Sequence, residues 1–168
     1  MLSSLPLPGG TLGTYFTTAA MRTMVQREYV SPVVRLTAVE IVAGLGGRDG
    51  VTQASAIRDW VEDHVEFVRD PDRGEMLHGP VWQINQIRQH DVVYVDCDDV
   101  AMLAAALGRA IGLRARFVVV AFGRNAPYRH VWTELAPPNK NVWIDVDITR
   151  TAHTLGYNQI KRALKVGV

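Results

Sequence analysis

The sequence contains one cysteine, Cys97, so no disulfide can form within the chain. That residue is therefore either a small buried side chain or a working thiol. Long apolar runs are also missing: none approaches the ~20 residues that a membrane-spanning helix needs. The first residues have neither a basic segment nor an adequate apolar segment for a signal peptide. We therefore expect a cytoplasmic protein that does not contact membranes.

An excess of charge is absent as well, because 18 basic and 17 acidic residues leave a net charge of +1. Without a dense basic block the chain has no electrostatic surface for nucleic acid, and we expect no nucleic-acid partner. A chain of 168 residues fits one domain. A domain of that size buries roughly 70% of its unfolded surface and needs no metal or disulfide for stability. We expect an irregular arm over residues 1–16, a core over about 51–149 and an extension over 150–168.

The first half of the chain has helical periodicity. Apolar residues recur at helical spacing over 18–29, and Ser31-Pro32 is typical of the start of a second helix. A third helix is predicted after Gly50, and a short fourth one begins at Pro80. A fifth helix follows Cys97, where its alanines and Gly108 would allow a sheet to approach closely.

The second half favours strands. The runs 115–122, 128–135 and 142–148 are apolar or alternating, and short turns with Gly, Pro and Asn separate them. This pattern predicts an antiparallel meander, followed by a surface helix from Tyr157. The predicted class is α+β: a helical N-terminal half and a central cysteine-bearing helix packed on a small antiparallel sheet.

Cys97 lies where the short run 92–95 meets the fifth helix. Free N–H groups and the helix dipole at such a position favour the thiolate, which is the reactive form of cysteine. Asp98 and Asp99 in the same turn oppose that charge, so the thiol needs a cationic partner. With such a partner, we expect the pKa of the thiol to fall below the ~8.5 of a free cysteine.

His130 is the histidine best placed to be that partner, because it stands early in a predicted strand. Two-residue alternation puts Asp145 and Asp147 on one face of the next strand, so either carboxylate can lie beside His130. A Cys–His–Asp set is then within geometric reach. In such a set the histidine is the base and the aspartate fixes its tautomer.

The order and spacing of four segments resemble the transglutaminase-like superfamily of papain-type cysteine enzymes, over about Ile57 to Thr149. These segments are 67–71, 96–99, 130–134 and 143–149. The resemblance implies a papain-like fold, no cofactor and a catalytic triad of Cys97, His130 and Asp147. The family's spacing of Trp, three residues, Asp, one residue and Thr selects Asp147 over Asp145. The family often has glycine two residues before the cysteine, where this chain has Val95.

The resemblance implies a cysteine-dependent hydrolase or acyltransferase that attacks a carboxamide of a protein or peptide and forms an acyl-enzyme. The alternative is a retired fold that binds a peptide or a partner, which Val95 permits. A metal site is disfavoured, because zinc sites prefer spacings such as C-x-x-C and this chain has none. The family includes compact prokaryotic and phage members of similar size, so a cytosolic and a virion-associated setting both fit.

Aromatic and amide side chains near the predicted site have simpler interpretations. Trp82 and Trp132 could line an acyl-binding groove, although aromatic residues in such places are at least as often part of the core. Gln83 and Gln86 could donate to an oxyanion, but no motif supports that role and neither is included in the predicted site.

Overall fold

The computed structural model of the chain describes residues 10–45, 49–68, 76–149 and 159–168. In these ranges the chain forms five helices and two β-sheets. The helices are α1 Gly10–Glu28, α2 Pro32–Val42, α3 Gly50–His64, α4 Pro80–His90 and α5 Cys97–Ala110. The strands are β1 Val65–Phe67, β2 Val93–Val95, β3 Arg114–Ala121, β4 His130–Ala136, β5 Ile144–Val146 and β6 Arg162–Gly167. The predicted α+β class is confirmed.

Helix α5 lies at the centre of the fold, and every residue from Asp99 to Gly108 is buried. It packs against β3 and β4 on one side and against α1, α2 and α3 on the others. A Cβ atom at Gly108 would lie 2.5 Å from Cδ2 of Leu135. A glycine at this position is therefore what allows β4 to approach the helix, as its small size predicts.

The larger sheet has the strand order β5-β4-β3-β6, and each pair in it is antiparallel. Its inner face packs apolar side chains such as Phe117 and Leu135 into the same core as α5. The hydroxyl of Thr133 donates a hydrogen bond to the carbonyl oxygen of Ala101 at 2.7 Å. Because this bond joins β4 to the first half of α5, it fixes the strand that begins at His130 relative to the helix that begins at Cys97.

The predicted C-terminal surface helix is wrong for residues 162–167, which form strand β6 along the edge of β3. Leu164 and Val166 alternate with more exposed residues, and both pack against the core. Over so short a segment the apolar spacing fits a helix or a strand. The edge of β3 decides between them, because its backbone groups need hydrogen-bond partners.

The predicted irregular arm is wrong for residues 10–16, because α1 begins at Gly10. Glycine and threonine are weak helix formers, but α1 is held in place by the burial of Met21 and Val25 in the core. The rest of the predicted arm, 1–9, lies outside the described residues, as do residues 150–158 of the predicted extension. In the described part of the chain, no helix combines the length and apolarity needed to cross a membrane.

The smaller sheet consists of the parallel strands β1 and β2, which pair Val65 with Val93 and Phe67 with Val95. The N–H of Val68 extends this ladder by donating to the carbonyl oxygen of Val95 at 2.9 Å. Parallel strands need a crossover connection, and α4 lies within it. These bonds fix the backbone two residues before Cys97.

Candidate active site

Cys97 is the first residue of α5, directly after the N-cap residue Asp96. Oδ1 of Asp96 accepts hydrogen bonds from the N–H groups of Asp98 at 3.1 Å and Asp99 at 3.3 Å. The side chain of Asp96 therefore occupies the N–H groups of the first turn that would otherwise favour an anion at this helix end.

His130 is the first residue of β4, and Asp147 follows the last residue of β5. The register of these strands pairs Thr133 with Val146, which places Asp147 near the start of β4. Nε2 of His130 lies 2.9 Å from Oδ2 of Asp147, and the two side chains are 3% and 2% exposed. The structure therefore brings together the histidine and the aspartate that the family spacing selects.

Thr149 contacts both His130 and Asp147. Its hydroxyl donates to Oδ1 of Asp147 at 2.7 Å, and its N–H donates to the same oxygen at 3.1 Å. The hydroxyl oxygen also lies 3.2 Å from Nε2 of His130. Thr149 is not among the predicted site residues, although it is the threonine of the Trp–Asp–Thr pattern that identifies Asp147.

Asp147 carries a negative charge at neutral pH. Burial alone would raise the pKa of Asp147, but the hydrogen bond and charge of His130 and the bonds from Thr149 lower it below its usual value. The charge faces the imidazole in a site from which water is largely excluded. Asp147 is thus suited to orient His130 and to stabilise its protonated form.

The thiol of Cys97 lies beside β4 at the residue that follows His130. The N–H of Val131 interacts with the thiol and favours its ionised form. Sγ also lies 3.8 Å from Oδ1 of Asp98. The first turn of α5 and the first residues of β4 therefore meet at Cys97.

The expectation of a lowered pKa for Cys97 is wrong. Burial raises the pKa of the Cys97 thiol well above its usual value, and the charges of Asp98 and Asp96 raise it further, whereas the N–H groups of Val131 and Cys97 oppose this rise. The thiol is therefore protonated at neutral pH, and a base must remove its proton. Because Nε2 of His130 faces Asp147, Nδ1 is the ring nitrogen that can serve this purpose.

The family model described as the transglutaminase-like superfamily matches residues 37–148, about two thirds of the chain. This chain belongs to the transglutaminase-like superfamily. The match begins within α2, earlier than the resemblance expected from Ile57 onward, and it contains Cys97, His130 and Asp147.

A solved structure named "Putative Cysteine Protease from Cytophaga hutchinsonii" has the same fold, with a TM-score of 0.53 and 23% sequence identity. The match covers 80% of this transglutaminase-like chain and 40% of that chain. This chain thus spans about two fifths of the solved protein. A search among curated proteins gives no match.

Two of the side chains considered near the site of this transglutaminase-like protein serve its packing. Gln83 is fully buried, and its Nε2 donates to the carbonyl oxygens of His78 at 2.7 Å and Asp99 at 2.9 Å, so its amide N–H groups are not offered to a substrate. Trp132 is buried with Val118 and Val120 in a small cluster of its own. Trp82 differs from both, because it is 39% exposed.

A second histidine–aspartate pair, His78 and Asp99, lies at the start of α5. Nδ1 of His78 is 2.7 Å from Oδ2 of Asp99. The two residues are 21 positions apart, and no motif in the sequence connects them. Within the described ranges, no three His, Cys, Asp or Glu side chains are grouped so that they could hold a metal ion.

Proposed function

We propose that this protein is a cysteine-dependent amide hydrolase or acyltransferase, with Cys97 as nucleophile, His130 as base and Asp147 as orienting carboxylate. The observation that carries this proposal is the buried hydrogen bond of 2.9 Å between His130 and Asp147, at the point where β4 meets the thiol. A buried histidine held by an ionised carboxylate beside a thiol is the arrangement used in nucleophilic catalysis.

In the first half of the reaction, Sγ of Cys97 attacks the carbonyl carbon of a carboxamide while Nδ1 of His130 takes the thiol proton. Asp147 stabilises the resulting imidazolium through Nε2. The imidazolium then donates its proton to the leaving amine as the C–N bond breaks, which leaves a thioester on Cys97.

In the second half, water or an amine attacks the thioester carbonyl, and His130 takes a proton from it. The proton passes to Sγ as the C–S bond breaks, so that the thiol is restored. Water yields a carboxylic acid and an amine yields a new amide. Hydrolysis and acyl transfer therefore need the same three side chains, and access of the second nucleophile decides between them.

The raised pKa of the thiol fits this scheme because proton removal and attack then proceed together. Asp96 and Asp98 oppose a free thiolate beside them. In a concerted step sulfur never carries a full negative charge beside these carboxylates. The reaction thus depends on His130 as a general base more than on a thiolate–imidazolium pair of Cys97 and His130 formed before the substrate binds.

A protein or peptide is the proposed substrate. This choice is supported by family membership and by the cysteine protease named in the related solved structure. A partner-binding role without catalysis is the competing outcome, and it predicts that the reactivity of Cys97 does not depend on His130.

The experiment is to measure iodoacetamide alkylation of Cys97 in the folded protein between pH 5.5 and 9 for wild type, His130→Ala and His64→Ala. We expect His130→Ala to slow alkylation near pH 7 by about tenfold or more, because general-base assistance contributes at least that much. His64 is the control, because it lies on α3, where its Nδ1 contacts the carbonyl oxygen of Trp60 at 2.8 Å.

An acid-quenched reaction with a peptide amide should then show a covalent adduct on Cys97 by mass spectrometry, and Cys97→Ala should show none. Equal alkylation rates for wild type and His130→Ala at every pH would refute the proposed function.

A further inference from the structure

A loop residue, His78, holds both carboxylate oxygens of Asp99. The N–H of His78 donates to Oδ1 at 2.6 Å, and Nδ1 of its ring lies 2.7 Å from Oδ2. The side chain of Asp99 is 2% exposed, and that of His78 is 21% exposed. Capping of α5 does not require this arrangement, because Asp96 already accepts from the first-turn N–H groups.

The surroundings of the pair fix it on both sides. The amide of Gln83 joins the two residues by donating to both of their carbonyl oxygens, at 2.7 and 2.9 Å. The ring of His78 stacks on Trp82 with 4.3 Å between centroids. Loop 76–79, α4 and α5 are thus tied together two residues from Cys97.

We propose that His78 and Asp99 are positioning residues for the reaction of Cys97, which hold the first turn of α5 and control the negative charge that the thiol meets there. The proposal rests on the proposed function, since it assumes that Cys97 is the nucleophile. Neither residue has to touch the substrate for this role.

The electrostatic part of the role follows from the crowding of acids around the thiol. Burial raises the pKa of Asp99 to about 7 and the charge of Asp96 adds to the rise, although both hydrogen bonds from His78 oppose it. The Asp99 carboxyl is therefore protonated below about pH 7 and becomes negative above that pH. A new negative charge two residues from Cys97 then opposes formation of the thiolate.

Among the described residues, the other charged groups near the pair are acidic too. Asp96 and Asp98 share the start of α5 with it. From α1, Oε2 of Glu28 accepts the N–H of Val81 at 2.8 Å, close to the loop that carries His78. From α4, the facing side chain is the uncharged Gln83. Among the described residues, His78 is the basic side chain in contact with Asp99, and its loss would remove one of the two hydrogen bonds that hold this carboxylate.

The test compares alkylation of Cys97 by iodoacetamide in wild type and Asp99→Asn between pH 5.5 and 9. Asparagine keeps the acceptor for the N–H of His78 but removes the charge. We expect equal rates below pH 6 and an Asp99→Asn rate about tenfold higher at pH 8.5, the effect of one pH unit in thiol pKa. In wild type the increase of the alkylation rate with pH should become shallower near pH 7. In Asp99→Asn this break, the change of slope near pH 7, should be absent.

His64→Ala is the matched control, because His64 stacks on Trp60 at 4.5 Å much as His78 stacks on Trp82, but its Nδ1 contacts a backbone oxygen. It should keep the wild-type profile. His130 is present in wild type, Asp99→Asn and His64→Ala, so any change of slope in the pH profile that depends on His130 is common to all three. A slower Asp99→Asn protein that retains the break near pH 7 would overturn the proposal and leave a packing role only.

A second measurement uses the wild-type fold and does not depend on a variant. Cys97 is blocked either with iodoacetate, which adds a negative charge, or with iodoacetamide, which adds none, and the titration of the Asp99 carboxyl is followed by NMR. Because the coupling is reciprocal, the midpoint should be about half a pH unit higher in the carboxymethylated protein. Equal midpoints would overturn the proposal.

The two proposals fail differently. If His130→Ala lowers the reactivity of Cys97 while Asp99→Asn leaves the profile unchanged, the inference about His78 and Asp99 is wrong and the proposed function stands. If His130→Ala has no effect, both are wrong.

Discussion

Replacing Asp147 by asparagine should disable His130 while preserving the shape of the site. The reason lies in Thr149, whose N–H donates to Oδ1 of Asp147 at 3.1 Å. That contact requires an acceptor, so in Asp147→Asn the amide oxygen takes the place of Oδ1 and the NH₂ group takes the place of Oδ2. The NH₂ group then faces Nε2 of His130, where Oδ2 lies at 2.9 Å in the wild type.

An NH₂ group facing Nε2 requires this nitrogen to act as acceptor, which puts the proton of neutral His130 on Nδ1. Nδ1, the nitrogen proposed to take the thiol proton, then cannot accept one. The charge that stabilises the imidazolium is lost as well. The corresponding substitution in a serine protease triad lowers kcat by about 10⁴, and with a thiol nucleophile we expect a fall of about 10²–10⁴.

The assay is kcat/KM on a peptide amide, or alkylation of Cys97 where no substrate is in hand, with folding checked by circular dichroism. Asp145→Asn is the matched control, because Asp145 lies on β5 opposite Glu134. It should have a mild effect. A damaging Asp145→Asn with a near wild-type Asp147→Asn would show that Asp145 is the orienting carboxylate, and the reasoning from Thr149 would be refuted.

Two further changes test the support of the site. Thr149→Val removes the hydroxyl that donates to Asp147 at 2.7 Å and keeps the N–H. We expect kcat/KM to fall by about tenfold, the value of one hydrogen bond to a charged group. An unchanged kcat/KM would mean that the N–H alone holds the carboxylate. Gly108→Ala places a Cβ 2.5 Å from Leu135 in the core, and urea unfolding should show a loss of about 1–3 kcal/mol. Gly44→Ala, where nothing lies within 4 Å, should show no such loss.

Local patterns were enough to predict most of the elements. Ser31 caps α2 by accepting the N–H of Val34, and Pro32 is its first residue, as their sequence order indicates. The stripe of apolar residues after Cys97 predicts a buried helix because side chains three and four apart share a face. Alternation in β4 and β5 put His130 and two aspartates on one face, and the family spacing then chose Asp147.

The elements that were wrongly predicted are those in which local preference is weak and a distant neighbour decides. The apolar residues after Ile160 fit either period, and they become a strand because β3 has an edge to pair. The first residues of α1 contain poor helix formers, yet they continue a helix whose later turns are buried.

The features of the site near Cys97 also fall into two groups, those that local sequence determines and those that tertiary packing determines. Residue type and order in the chain are enough to identify a thiol at a helix start, a strand histidine and a following aspartate, because capping and alternation act over a few residues. The raised pKa of the thiol and the contact of His78 with Asp99 depend on burial and on the approach of segments far apart in sequence. Only tertiary packing sets those quantities, because desolvation and Coulomb interactions depend on distance in space and not on distance along the chain.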